Sequence, residues 1–147
     1  MDIRKTIGNT LIASAIGVVI LRLNKEKLVY IDKLPSFINT YIKTHFASHR
    51  LSKVIKNRKG LNYTYDVFLD GGLSLKFNSK GKVIEIEGNG RLPDSVIPAS
   101  ILEYVNLNFP DNAITEWELE KRIQEVELDS GVELLFNLKG EFIGMDF

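Results

Sequence analysis

The side chains able to do chemistry in this 147-residue chain are few and unevenly placed. There is no cysteine, which removes thiolate nucleophiles, cysteine metal sites and disulfides together. The two histidines, His45 and His49, stand four apart, a spacing that on one helical face would let them share a metal. His49 falls beyond the predicted helix end, however, and no carboxylate lies near in sequence to complete the set. No Gly-x-Ser-x-Gly phrase and no phosphate-cradling glycine loop occurs. The chain therefore reads as a non-enzyme, with no catalytic, metal or cofactor residue assigned and no cofactor expected.

Carboxylates at strand spacing are the strongest remaining signal. Glu116, Glu118 and Glu120 alternate with apolar neighbours, and Glu125 and Glu127 do the same on the next strand. A two-residue period puts each set on one side of a sheet, with Trp117, Thr115 and Leu119 on the other, expected to be core. Two such rows repel unless they are solvated or met by cations. They are thus an exposed face, a contact for a basic surface, or an ion site, although no Asp-rich loop with calcium-ligand spacing appears. Lys53, Lys56, Arg58, Lys59, Lys76, Lys80 and Lys82 form a looser basic set with Tyr63 and Tyr65 nearby. Its density is modest beside the acidic half, so nucleic acid is not an expected partner. The candidate partner-binding residues are Glu116, Glu118, Glu125, Glu127, Tyr63 and Tyr65.

The elements that position these residues are written twice. LDGGLSLKFNSKGKVI, from Leu69 to Ile84, returns as LDSGVELLFNLKGEFI, from Leu128 to Ile143, with nine of sixteen positions identical. Each copy reads as turn, alternating strand, turn and strand. Ahead of each lies an apolar helical pattern opened by proline, which suits a first helical turn. Pro35 starts the first, with Ile38, Tyr41 and Phe46 in step; Pro98 starts the second, with Ile101, Tyr104 and Phe109 at an offset of 63. Strands are predicted at 51–58, 61–69, 73–77, 83–87, 113–120, 123–128, 132–137 and 141–146. Connections of two to four residues require antiparallel meanders. The expected fold is α+β: two tandem units, 31–90 and 91–147, each a helix on a four-stranded meander. Units of this size have little core of their own, so they should pack together or form one continuous sheet.

Residues 1–30 are set apart. Arg4 and Lys5 precede an apolar run at 11–21, as in an export signal or short membrane anchor. The alternative is a core helix, or a hairpin of 17–23 and 28–31 turning at 24–27. Net charge is zero, yet residues 34–90 hold nine Lys or Arg against four Asp or Glu, and residues 91–147 hold four against twelve. The halves should present opposite fields.

The pieces LPSFINTYIKTHF, VIPASILEYVNLNFP and VELLFNLKGEFIG, in this doubled order, resemble the PepSY-like, beta-lactamase-inhibitor-like family. The resemblance spans about 34–147. It implies a fold like the beta-lactamase inhibitor protein, export in bacteria with a signal peptide, and no catalytic residues. The expected function is that of a non-enzymatic exported binding protein of the periplasm or cell envelope, contacting a protein partner through an exposed sheet face. An alternative is a structural or ligand-sensing module binding an ion or small molecule at the acidic face of the second unit. Membrane contact is expected only through the amino-terminal segment, if it is retained as an anchor.

Overall fold

The computed structural model describes residues 24–146, so the export-signal or anchor reading of the preceding apolar run lies outside the described residues. Nine strands form one sheet whose spatial order is the chain order, every neighbouring pair antiparallel. The order is β1 (Asn24–Leu28), α1 (Ser36–His45), β2 (Leu51–Lys59), β3 (Asn62–Leu69), β4 (Ser74–Asn78) and β5 (Val83–Glu87). Then come α2 (Ala99–Asn108), β6 (Ile114–Glu120), β7 (Ile123–Leu128), β8 (Glu133–Asn137) and β9 (Phe142–Asp146). Two four-stranded units were the expectation. Of the two arrangements expected for them, packing together or one continuous sheet, the structure has the second: a β5–β6 ladder joins the strands, Glu85 opposite Glu118, Ile86 opposite Trp117 and Glu87 opposite Glu116.

Residues 24–28 correct the hairpin alternative, because they are not a turn. Asn24 to Leu28 run along β2 from Lys59 to Ile55 as an edge strand. Pro35 and Pro98 sit one position earlier than expected, just outside the helices, where their carbonyls accept the amides of Ile38 and Ile101 at 3.1 and 3.0 Å. Proline is pre-set for that entry and loses no donor there.

Both helices lie on one face of the sheet and supply Ile38, Ile42, Ile101 and Val105 to the core. The strands answer with Val67, Leu75, Phe77, Ile86, Trp117, Val126, Leu134 and Phe136. Aromatic rings knit each helix to the strands beneath it: Tyr41 meets Phe77 edge-on at 5.4 Å, and Tyr104 meets Phe136 likewise at 5.4 Å. Four bulges adjust the ladders. They fall at Ser52, Ile84, Thr115 and Ile143, the positions skipped in the registers. The Thr115 bulge amends the expected partition of β6, since it turns Ile114 into the core beside Trp117.

Candidate functional site

The helices cover one face of the sheet and leave the other to its polar side chains. Strand parity turns Glu116, Glu118 and Glu120 away from the core, because Trp117 is only 5% exposed on the helix side. In β7 the buried Val126 and Leu128 likewise leave Glu125 and Glu127 on the open face. The registers then align two rows across neighbouring strands. One runs Glu87, Glu116, Glu127, Glu133 and Asp146 from β5 to β9, and the other runs Glu85, Glu118 and Glu125. Residues directly opposite in an antiparallel pair have Cβ atoms about 5 Å apart, and like charges there oppose one another.

Glu116 is the centre of this band. Burial pushes its carboxyl up to about 7, and the charges of Glu87, Glu127, Glu85 and Glu118 act in the same direction. Glu118 is raised for the same reasons, burial first and Glu85 next, with Lys76 pulling against them. Lys76 on β4 reaches this region: it is ion-paired with Glu85, and both are partly shielded from solvent. Burial lowers the Lys76 ammonium, but its hydrogen bond to Glu85 and the charges of Glu85, Asp66 and Glu118 outweigh that, leaving it raised. Asp66, opposite Lys76 on β3, accepts a hydrogen bond from the Asn57 amide and is raised chiefly by burial.

The structure thus brings Glu116, Glu118, Glu125 and Glu127 together as expected from their spacing. It does not bring Tyr63 and Tyr65 to them. Tyr65 is 8% exposed and packs edge-on against Phe37 of α1 at 5.9 Å, on the helix side of the sheet. Tyr63 shares that side, 5.6 Å from Tyr65, with the Lys56 ammonium 3.9 Å over its ring. A candidate contact made of these six residues is therefore two separate surfaces, and the buried Tyr65 belongs to the core.

Sequence reasoning missed Glu85, Glu87, Glu133 and Asp146 as members of the band. Their alternation with Ile86 and Leu134 puts them on one face, but their place beside β6 and β7 depends on strand order. The histidines do not converge. His45 Nδ1 lies 2.9 Å from Ser95 Oγ, whereas His49 Nδ1 lies 3.2 Å from Asp70 Oδ1. Among the described residues no three His, Asp or Glu side chains are grouped so as to hold a metal ion. An open hollow of about 620 Å³ lies far from the band, lined by Leu28, Tyr30, Ile31 and Val54 among others.

Solved structures resemble this chain along most of its length. A periplasmic protein of Bacteroides thetaiotaomicron described as calcium-regulated is 29% identical, with a TM-score of 0.77, covering 83% of this chain and 97% of its own. A periplasmic protein of the DUF2874 family from Bacteroides vulgatus is also 29% identical with a TM-score of 0.77, covering 84% and 98%. Another periplasmic protein of unknown function from B. vulgatus is 28% identical, with a TM-score of 0.77 and coverage of 84% and 100%. No curated protein matches the chain. The sequence profile described as beta-lactamase-inhibitor-like and PepSY-like matches twice, over residues 21–85 and 63–144, and the chain belongs to that family.

Proposed function

We propose that this chain is a non-enzymatic binding protein of the bacterial periplasm, made of two tandem copies of one unit, whose open sheet face receives a basic surface of a protein partner. The observation behind this reading is the shape of the acidic band. Its carboxylates are spread at strand spacing over five strands rather than gathered around a point. A spread of that kind matches an extended array of Lys and Arg better than a single ion, and electrostatic complementarity of this sort governs encounter rate and partner choice. Support for two copies comes from the bulges, since Ser52 and Thr115 are 63 apart and Ile84 and Ile143 are 59 apart, the same two offsets that relate the helices and the repeated phrase. The periplasmic descriptions of the similar structures support the location.

The test is binding of a Lys/Arg-rich peptide followed by calorimetry. Replacing Glu116, Glu118, Glu125 and Glu127 with Gln should weaken binding at least about tenfold, and raising the salt should weaken the parent in the same way. Unchanged affinity in the four-Gln protein overturns the reading. A second reading, ion sensing at the same face, is favoured by one observation: a protein 29% identical to this chain is described as calcium-regulated. Millimolar calcium that raises the parent's Tm by several degrees, and leaves the four-Gln protein unmoved, selects that reading over the first.

A further inference from the structure

A meander places alternate connections at the same end of a sheet, and here the two ends are chemically different. Pairing of Lys59 with Asn62, Glu120 with Ile123, and Ile123 with Asn137 puts the β2–β3, β6–β7 and β8–β9 turns at one end. The β4–β5 turn joins them, since Thr64 lies opposite Asn78 and Asn78 bonds the Lys82 carbonyl. Each of these four turns carries an exposed lysine: Lys59, Lys80, Lys121 and Lys139. Leu61 at the first tip is fully exposed at 101%, and Leu138 at the last is 51% exposed. The carboxylates at this end are Glu120, 3.8 Å from Lys121, and Glu141, which accepts the Asn137 amide. At the opposite end the two hairpin turns are Asp70-Gly71-Gly72 and Asp129-Ser130-Gly131, which carry no lysine or arginine of their own, the Arg50 guanidinium there being paired with Asp70.

The chain also enters the described fold at the lysine end, because Asn24 stands opposite Lys59. The residues ahead of it carry the apolar run at 11–21, flanked by Arg4, Lys5 and Arg22. Three features therefore coincide: four cationic turns, bare leucines at two of their tips, and the exit toward an apolar segment. We propose that this end of the sheet is a docking surface for an anionic lipid bilayer, the lysines meeting headgroup phosphates while Leu61 and Leu138 reach between headgroups. Basic residues near an anionic bilayer are attracted within a Debye length, and an exposed leucine gains by leaving water. The acidic band lies along the sheet face rather than at its end, so the face stays open to a partner while the tips are engaged.

The experiment is co-sedimentation of the full chain with vesicles of phosphatidylcholine alone and of phosphatidylcholine with 30% phosphatidylglycerol. Partitioning should be at least about tenfold stronger on the anionic vesicles, and each Lys→Gln change among Lys59, Lys80, Lys121 and Lys139 should weaken it about fivefold. Leu61→Ser should lower binding further at a salt concentration where charge is screened. All five positions are exposed, and circular dichroism checks that the variants stay folded. The proposal fails if a protein with Lys59, Lys80, Lys121 and Lys139 all changed to Gln sediments like the parent, which would assign binding to the amino-terminal segment. It also fails if neutral and anionic vesicles bind equally, or if Leu61→Ser changes nothing, which would describe a general polyanion site.

Discussion

Gly140 shows why the repeated phrase is scaffold. Its φ is +78°, and a Cβ there would stand 1.9 Å from Ser100 Oγ and 3.0 Å from Ser100 Cβ on α2. Gly81, 59 residues earlier, has φ +80° and brings its backbone against the Phe37 ring of α1. Phe37 and Ser100 are themselves 63 apart, so each glycine seats its helix at the corresponding place. Gly140→Ala should therefore cost roughly 2–3 kcal/mol in urea denaturation. Gly131→Ala, with φ +84° but nothing within 4 Å, should cost only about 1 kcal/mol. Equal costs would remove the close approach to Ser100 as the cause. Glu116 makes an opposite prediction, that a native side chain is unfavourable. Its folded carboxyl titrates near 7, above the ordinary carboxylate value of 4.5. A group raised in the folded state contributes stability that is complete below about pH 4.5 and is lost as pH rises through 7. Glu116→Gln cannot ionise, so at pH 8 it should be more stable than the parent by roughly 1–2 kcal/mol, after allowing for screening, with the gap closing by pH 4. Denaturant midpoints at the two pH values measure this, and a variant less stable at pH 8 would mean that Glu116 is held by a cation.

At the scale of elements, periodicity revealed most of the fold. Apart from β1, where the sequence suggests a turn, helix and strand boundaries match the apolar pattern to within a residue or two, since local burial and turn chemistry decide them. Strand order across a long connection is not local, and there the sequence is silent: nothing in VIEIE says that β5 will pair with β6 rather than end a separate unit. The consequence is considerable, because that pairing sets Glu87 and Glu85 directly against Glu116 and Glu118. Tyr63 and Tyr65 are a different case. They are in step with Val67 and Leu69, which are buried, so their place on the helix side was legible and the nearby lysines drew attention from it. The β5–β6 ladder is held chiefly by Ile86, fully buried, against Trp117. Ile86→Ala should cost about 2–5 kcal/mol. The parent should unfold in one transition, because a single core runs through this seam. Two separate transitions followed by near-UV and far-UV dichroism would mean that the halves fold independently.

The whole molecule sorts its charge by direction rather than only by half. Residues 34–90 are basic in composition, but on the open face Asp66, Glu85 and Glu87 extend the acidic surface into that half. Of the basic residues there, Lys53 and Lys76 share the open face, Lys76 paired with Glu85, while others lie on the helix side, as with Lys56, or at the turns, as with Lys59 and Lys80. The acidic face and the cationic end thus occupy different parts of the molecule. The central claim concerns the face, and zero-length carbodiimide cross-linking in periplasmic extract addresses it directly, since it joins carboxylates only to amines in contact. The parent should capture a protein whose cross-linked lysines map to Glu116, Glu118, Glu125 or Glu127, and the four-Gln protein should lose that product. A capture pattern identical in both proteins, or cross-links confined to carboxylates off the open face, would contradict the account.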